Sequence, residues 1–425
     1  MKFKPMIQAA VGSLLFAAVV LTTGCDSGGD DGNPEVTQRM VSGVVTDDAG
    51  FSKTASGPIA GAAVEAVSFA SVGTGNRLEG STTTDASGAY SLDIETAGEI
   101  LVVMATKATF STSSMVQLVG SGDVTAMPMN DETDAEAGIF VGARDQGFAL
   151  MPSQVAFAVD TQLAAEIKQG NAGESDVATA INDGDAAEDE YTKSGDDEQP
   201  DERRMQRDDE RKASFIELQS ALAAGTDDSA AVRAFESRYA MAALEAGIPA
   251  SVQARAAQAN RLTVMSQLSD LSLSADAQFA MKKQLALYAS TAVKQSTEAA
   301  FEAHGSANGV LAQLDADGEA MLDAIASASS ESELDAALSG YNASVETQLR
   351  AEANVTGATI TAAKSAVDLI HTTLDTALAA ATTASARVTA MATFYSSAET
   401  AIETSFAGNS NAAFCAEVLT VLELQ

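Results

Sequence analysis

Histidine and cysteine, which carry much of the acid–base, nucleophilic and metal chemistry of proteins, are scarce in this chain: its 425 residues include 2 of each. His304 stands in Glu302-Ala-His-Gly305, a pattern typical of a helix C-terminus, where a cationic side chain meets the negative end of the helix dipole. His371 follows Ile370 in a predicted long helix and is expected to flank its apolar seam, with a ligand role as the alternative. Neither lies in a His-Glu-x-x-His zinc motif.

Carboxylates are plentiful, and two short acidic runs have spacings that could bind Ca²⁺. Asp315-Ala-Asp-Gly-Glu319 has part of the pattern of a calcium loop, but ligand positions of such a loop hold Gln313 and Ala324, so an EF-hand is not predicted. Asp183-Gly-Asp185 is interpreted as a solvated acidic loop, with weak Ca²⁺ binding as the alternative. Phosphate loops, nucleophile elbows and Cys-x-x-Cys pairs are absent from the sequence. We therefore predict no catalytic residue, no cofactor and no metal ligand.

The composition narrows the class of protein further. The chain has 59 Asp and Glu against 24 Lys and Arg, a formal net charge of −35, and hydrophobic residues make up 46 % of it. So negative a chain repels phosphates and anionic lipid surfaces, and nucleic acid is therefore excluded as a partner. With 2 cysteines it is neither a disulfide scaffold nor a multi-cysteine zinc protein. Its length allows two or three domains with substantial cores.

The first 25 residues have the pattern of an export signal. A basic start is followed by an almost wholly apolar run from Ile7 to Leu21, which is shorter than the roughly 20 residues that span a bilayer. The run ends in Leu21-Thr-Thr-Gly-Cys25 and a Gly- and Asp-rich stretch. This resembles a bacterial lipoprotein signal, although Thr22 stands where that family usually has Leu. The resemblance implies lipidation of Cys25 as the mature N-terminus, with ordinary secretion as the alternative.

The second cysteine lies in Phe414-Cys-Ala-Glu-Val418, an apolar helical context. Free cysteine behaves as a small hydrophobic residue in such surroundings. Cys415 is therefore predicted to be a buried core residue, with an intermolecular disulfide as the alternative.

Residues 40–130 have the sequence pattern of short strands separated by turns. β-Branched runs alternate with turn signals such as Asp47-Asp-Ala-Gly50 and Asp85-Ala-Ser-Gly88, a spacing that predicts a small antiparallel sandwich. The predicted strands are 41–46, 62–67, 89–94 and 100–106, with two further candidates at 115–119 and 123–127.

Three segments of this region resemble the carboxypeptidase regulatory-like domain, a transthyretin-like β-sandwich. They are Ser42 to Asp47, Gly57 to Val64 and Thr84 to Leu92, and their order and spacing agree with the family. A longer insertion from Phe69 to Gly80 departs from it and is predicted to be a loop. The resemblance implies a non-catalytic spacer or binding module. Related folds bind sugars on exposed aromatic residues, but most of the candidates are predicted to be core: Phe51, Phe69, Tyr90 and Phe110.

The rest of the chain favours helix, because Ala, Gln, Glu, Leu and Met dominate it. An acid-rich stretch from 173 to 200 is predicted to be a mobile polar loop. Pro200 then opens a predicted helix with a solvated face, along which Arg204 pairs with Asp208, and Asp208 with Lys212. Further helix starts are predicted at 226–229, 247–249, Ser274 and Ser330, the last with Glu333 as a capping box.

The segment from Ala358 to Ala407 contains neither Gly nor Pro. Apolar residues recur in it at intervals of seven, which predicts a coiled-coil-like seam. One continuous helix would be roughly 75 Å long, and this favours an elongated bundle, although the Thr content allows a break near 380–383. The seam residues are Ile360, Val367, Leu374, Ala381, Val388, Tyr395 and Ile402.

The sequence thus predicts a multidomain β + α fold: a small antiparallel β-sandwich followed by an elongated all-α helical bundle. The predicted parts are a signal peptide (1–24), a flexible tether (25–39), the sandwich (40–130), a connector (131–152) and the acidic Ala-rich bundle (153–425). We expect a lipid-anchored cell-envelope protein that has a structural or protein-interaction role, through an envelope partner or self-association. The alternatives are a carbohydrate- or Ca²⁺-binding module and, less favoured, a hydrolase. The outer membrane is predicted, but Asp26 resembles an inner-membrane retention signal, which leaves that membrane as the alternative.

Overall fold

A computed structural model describes residues 37–47, 57–69, 77–96, 99–193, 200–226, 228–268, 271 and 273–422. The predicted signal peptide, Cys25, Phe51 and nearly all of the predicted tether lie outside these residues. The tether prediction was wrong at its C-terminal end, because Thr37 to Arg39 belong to the first strand.

The described part of residues 37–125 forms two small sheets, one in the order β4-β1-β7 and the other β3-β2-β5-β6. All ladders are antiparallel except that of β1 with β7. The strands are β1 (Thr37–Val44), β2 (Ala63–Ser68), β3 (Arg77–Thr83), β4 (Ala89–Thr96), β5 (Ile100–Lys107), β6 (Phe110–Gln117) and β7 (Val124–Thr125).

Strand positions follow the predictions closely at β2, β4 and β5, whereas β1 begins four residues before the predicted 41 and ends at Val44. The predicted turn before β4 is confirmed: Asp85 accepts hydrogen bonds from Ser87 N at 2.8 Å and Ala89 N at 3.0 Å, and Gly88 has a φ of +76°. The predicted loop from Phe69 to Gly80 was wrong at its C-terminal end, because residues 77–80 belong to β3, which pairs with β2. Cross-strand pairing stabilises this segment although its charges and glycine disfavour a strand.

Beyond the sheets, the described residues form thirteen α-helices. They are α1 (Asp131–Asp145), α2 (Pro152–Ala158), α3 (Thr161–Gln169), α4 (Glu174–Lys193), α5 (Pro200–Ala223), α6 (Asp228–Glu245), α7 (Ala250–Leu268), α8 (Ala275–His304), α9 (Asn308–Ser327), α10 (Glu331–Glu352), α11 (Gly357–Ala380), α12 (Ala384–Ser405) and α13 (Ala412–Leu422). None of them is long and apolar enough to span a membrane.

The predicted helix starts are confirmed at Pro200, Ser274 and Ser330. The side chain of Ser330 accepts from Glu333 N at 3.3 Å. The carboxylate of Glu333 bonds Ser329 N at 2.7 Å, so the reciprocal half of the expected capping box is displaced by one residue.

Two predicted irregular segments are helical. The acid-rich stretch predicted to be a mobile loop forms α4 over most of its length, because Val177, Ile181 and Tyr191 lie on a buried face that packs against other helices. Tertiary packing of one apolar face outweighs a weak local preference. The predicted connector contains α1, which begins with a capping box between Asn130 and Thr133.

The apolar seam is confirmed, but the continuous helix is not. Ile360, Val367, Val388, Tyr395 and Ile402 are all buried. The helix breaks within the predicted interval, because α11 ends at Ala380 and the Thr383 side chain caps α12 by accepting from Ala386 N. The two helices then pack along each other. The prediction of one helix of roughly 75 Å was therefore wrong.

Strands and helices share core and hydrogen bonds. Phe69 after β2 packs edge-on against Phe140 of α1, with ring centroids 5.7 Å apart. At the edge of the four-stranded sheet, Gln117 N donates to Gln219 Oε1 at 3.1 Å, and Gln219 Nε2 donates back to Gln117 O at 3.4 Å. One side chain of α5 therefore satisfies both backbone groups of an edge residue.

Candidate functional site

Three charged side chains are buried where α4 and α5 pack. Arg207 and Arg211 of α5 are 1 % and 0 % exposed, and Glu188 of α4 is 0 % exposed. We call these three residues, together with Tyr288 of α8, the buried ion cluster. Charges so far from water are stable only when they are paired and hydrogen-bonded.

Glu188 accepts hydrogen bonds from four side chains. The donors are Arg211 Nη2 at 2.8 Å, Arg207 Nη1 at 3.3 Å, Tyr288 OH at 2.5 Å and Asn260 Nδ2 at 3.1 Å. Burial alone would raise the pKa of Glu188, but the two guanidinium groups and the hydrogen bonds outweigh it and hold the pKa at about 2. Glu188 is therefore ionised throughout the physiological range.

α5 has the predicted solvated face, on which Glu202, Gln206 and Asp209 are exposed, but the predicted pairings along it were wrong. Arg211 stacks over Tyr239, with the guanidinium carbon 4.6 Å from the ring centroid. Arg204 bonds Asp189 of α4 at 3.0 Å, and Lys212 bonds Glu99 at 2.7 Å. These partners lie outside α5, and the acids interleaved along α5 conceal them in the sequence.

A small cavity adjoins the buried ion cluster. Its volume is about 30 Å³, which is room for about two water molecules, and its walls include Asp185, Asn260 and Tyr288. Burial raises the pKa of Asp185 to about 7, against the opposing effect of Arg207. Asp185 Oδ1 lies 3.6 Å from Arg211 Nη1. The cavity is too small for an organic substrate.

A larger concavity opens between α4, α7, α12 and α13. This surface cleft has a volume of about 410 Å³, within the range of small-ligand sites. Its apolar lining comes from Val252, Ala413 and Ala416, and its charged lining from Arg255, Glu399, Glu403 and Glu417.

The charges of the surface cleft fall into two groups. Arg255 forms an ion pair with Glu399, and its guanidinium carbon lies 4.9 Å from the Tyr395 ring centroid. That pair is neutral and fixed by packing. Glu403 and Glu417 are exposed, and in the part of the chain that the structure describes neither forms an ion pair. The cleft therefore carries a local excess of negative charge.

His304 lies at a helix end, as its sequence position predicts, and both histidines pack against aromatic rings. His304 ends α8, as predicted, and stacks on Phe414 with the ring centroids 4.0 Å apart. The ring of His371 lies 4.7 Å from that of Phe394 across the α11–α12 pair. Cys415 is buried, as predicted, and burial raises its pKa to about 11, so its thiol is a poor nucleophile at neutral pH.

The two acidic runs considered for Ca²⁺ both lie in helices. Asp315 and Glu319 on α9, together with Glu298 on α8, surround the buried ammonium of Lys294 at 2.7 to 3.1 Å. Asp183 lies in α4 and accepts from Gln267 Nε2 of α7 at 2.8 Å, so the predicted solvated loop at 183–185 was wrong. Among the described residues no group of three metal-ligating side chains converges.

Comparisons with known proteins give little further guidance. No protein-family model matches the chain, and no curated protein matches it. A crystal structure of a 9R-lipoxygenase from Cyanothece PCC8801 matches with 13 % identity and a TM-score of 0.14, covering 39 % of this chain and 29 % of that chain. A TM-score so low carries no argument about the fold or the activity.

None of the cleft residues was singled out in the sequence. They come from four helices separated by up to 226 positions along the chain, between Tyr191 and Glu417. The only local signal is the acid spacing around Glu399 and Glu403 on α12, which is also that of an ordinary solvated helix face. Only the packing of the helices brings these groups together.

Proposed function

We propose that this chain is a lipid-anchored protein of the bacterial cell envelope that acts by binding another protein, not by catalysis. The proposed lipid anchor is supported by the sequence, in which an apolar run from Ile7 is followed by Gly24-Cys25 and a Gly- and Asp-rich stretch. Several acyl chains on one cysteine anchor a protein stably, because each buried CH₂ contributes about 0.8 kcal/mol. The outer membrane is the proposed location.

We also propose that the two small sheets form a sandwich of the carboxypeptidase regulatory type. One hydrophobic cluster joins Val41 and Leu92 of the first sheet to Val64 and Leu101 of the second, which supports this arrangement. The Asp85 turn lies in the segment that carries the family resemblance.

The surface cleft supports a binding role. Arg255, the one cation that lines it, is already neutralised by Glu399. The exposed carboxylates beside this pair can attract a positively charged partner. The cleft lies on the helical part of the chain.

Membrane fractionation of cells that express the full chain tests the anchor. We expect wild type and Cys415→Ser to be found in the membrane fraction, and Cys25→Ser in the soluble fraction. Intact mass should show a lipid adduct in the first two proteins and not in the third. A Cys25→Ser variant that stays in the membrane fraction, or a wild-type mass without lipid, would contradict the proposal.

Affinity capture from detergent-solubilised envelope tests the binding role. The wild-type protein should retain a specific protein or a second copy of itself, and Glu403→Gln/Glu417→Gln should retain less. A consistently monomeric protein that captures nothing beyond the background of a matched acidic control would count against a binding role while leaving the anchor intact.

A further inference from the structure

We propose that Asn354, in the loop between α10 and α11, is an acceptor for N-linked glycosylation. The transferred group is an oligosaccharide, donated by a polyprenyl diphosphate carrier after the chain has crossed the cytoplasmic membrane. The inference rests on the export that the proposed function includes, and on no other part of that function.

Two Asn-x-Ser/Thr sequences occur in the chain, Asn342-Ala-Ser344 and Asn354-Val-Thr356. This pattern marks glycosylation acceptors in the surface loops of exported proteins. Glu352 adds a carboxylate two positions before Asn354, a charge that an arginine of a transferase can bind. A glycine stands at the same position before the other sequence. The second sequence is therefore the stronger candidate before its surroundings are considered.

The loop presents the second sequence to solvent. Helix α10 ends at Glu352, and Asn354 has a left-handed backbone with a φ of +50°, which turns the chain out of the helix. Asn354 and Thr356 are both exposed. Among the described residues, no hydrogen bond engages the side-chain amide of Asn354. An enzyme can therefore reach the amide and the hydroxyl together.

The first sequence has different surroundings and serves as an internal control. Asn342 and Ser344 lie within α10, where side chains two residues apart point to different sides of the helix. Asn342 Oδ1 is buried, and Ser344 Oγ donates to Asp317 of α9. A transferase would have to unwind α10 to engage both groups, so Asn342 is expected to remain unmodified.

The transfer forms one bond and breaks one. The amide nitrogen of Asn354 bonds to C1 of the first sugar, while the bond between C1 and the diphosphate oxygen breaks. Polyprenyl diphosphate leaves with that electron pair, and a base of the transferase takes one amide proton. Nothing is oxidised or reduced, and the product is a neutral amide that carries a bulky polar group.

Mass spectrometry of tryptic peptides tests the site, on the full chain purified in detergent from the membranes of its native cells. Cleavage after Arg350 and Lys364 places Asn354 in the peptide 351–364 and Asn342 in a separate peptide. We expect the peptide 351–364 to carry added hexose or N-acetylhexosamine residues, with fragment ions that locate them on Asn354. The peptide that contains Asn342 should have the mass of the unmodified sequence.

Two substitutions at the asparagines form the first matched pair. Glycine suits a left-handed backbone, so Asn354→Gly should keep the turn and lose the modification of the peptide 351–364 completely. Asn342→Gln removes the buried counterpart and should leave that modification unchanged.

Two substitutions at Thr356 form the second pair. The Thr356 side chain caps α11 by accepting from Thr359 N at 3.2 Å, and both asparagine and serine can replace it as a cap. Thr356→Asn keeps a cap without the hydroxyl and should abolish the modification. Thr356→Ser keeps both and should retain it. A purely structural role of Thr356 would give the same result for the two variants.

The outcomes separate this proposal from the lipid anchor. An unmodified peptide 351–364 in a protein that carries lipid on Cys25 would overturn the glycosylation site and leave the anchor intact. A glycosylated Asn354 in a protein without lipid would support the site and overturn the anchor. A sugar that persists in Asn354→Gly would lie on another residue, and a sugar that persists in Thr356→Asn would not depend on the recognised pattern. Either result would overturn the assignment.

Discussion

At the scale of single residues, Glu188 joins the helices most directly. It lies on α4 and accepts from side chains of α5, α7 and α8. Breaking a buried ion pair by removing one partner costs about 3 to 5 kcal/mol, since the remaining charge stays buried without compensation. The large loss of stability therefore reflects the unpaired charge that a single substitution leaves behind. It does not measure the net contribution of the whole cluster to folding.

We accordingly expect Glu188→Gln to lower the free energy of unfolding by about 3 kcal/mol. Glu190→Gln, an exposed position on the same helix, should stay within about 0.5 kcal/mol of wild type. Urea denaturation monitored by circular dichroism measures both, with the m-value checking that the native state is unchanged. A Glu188→Gln variant within 1 kcal/mol of wild type would show that the cluster tolerates the loss.

A second carboxylate gives a pH dependence of known sign. Burial, and then the neighbouring Asp134, raise the pKa of Glu174 to about 7, compared with 4.5 for an ordinary glutamate. Between these values the native state binds more protons than the unfolded state. The free energy of unfolding therefore falls as the pH rises through this window.

Glu174→Gln should reduce that fall between pH 4.5 and 7, because an amide does not ionise. Denaturant titrations at half-unit intervals of pH measure the slope, and Glu190→Gln should keep the wild-type slope. Identical slopes in wild type and Glu174→Gln would mean that Glu174 titrates as it does in solvent.

The buried ion cluster could not be predicted from the sequence. Arg207 and Arg211 lie among acids of their own helix, a pattern that predicts solvated pairs. Their main partner, Glu188, is 19 and 23 residues away, and Tyr288 is 77 residues from Arg211. Local spacing carries no information about such partners. Cys415 and His304, by contrast, were predicted correctly, since burial and helix-end position depend on adjacent residues.

At the scale of elements, α8 and α9 pack around one ammonium. Lys294 of α8 lies beneath Gly318 of α9, and a β-carbon at that glycine would stand 2.7 Å from the lysine stem. Three carboxylates hold the lysine nitrogen, so moving the stem aside would disturb these ion pairs. Gly318 is therefore required for the close approach of these helices.

Two glycine substitutions should consequently have opposite signs. We expect Gly318→Ala to lower the free energy of unfolding by about 1 to 3 kcal/mol. Gly340→Ala, in α10 with no atom within 4 Å of the new β-carbon, should raise it by about 0.5 to 1 kcal/mol. Thermal and urea unfolding of the two variants measure the difference. Stabilisation by both substitutions would show that the lysine stem yields.

Elements with a regular pattern were predictable and those with mixed signals were not. The seam of α11 and α12 and the alternation in β4 follow from periods that the backbone geometry imposes. Strand β3 and helix α4 carry charges and glycine, which locally favour loops. Each is held by a partner, β2 and α7 respectively, that no local window of sequence contains.

At the scale of the whole molecule, the dominant quantity is the formal net charge of −35. Its exposed part repels itself and opposes the compact state. The buried ion cluster is hardly affected by salt, because solvent ions cannot reach it. Screening should therefore act on the exposed charges, among which repulsion between carboxylates predominates.

Raising NaCl from about 20 mM to about 500 mM should increase the melting temperature by a few degrees. Differential scanning fluorimetry at constant pH measures the shift, with glucose of equal osmolality as the control. A melting temperature that falls with salt would indicate that attractive surface pairs, such as Lys212 with Glu99, outweigh the repulsion.

The bond between Gln219 and strand β6 matters most when many copies of the protein are crowded together. An uncovered edge strand is a template on which a second molecule can add its own strand, and such additions lead to polymerisation. The side chain of Gln219 occupies both backbone groups of Gln117, so this part of the edge offers no free donor or acceptor. Molecules confined to two dimensions by a lipid at Cys25 would meet far more often than molecules in free solution. A helix side chain that closes the sheet edge would let them meet without aggregating.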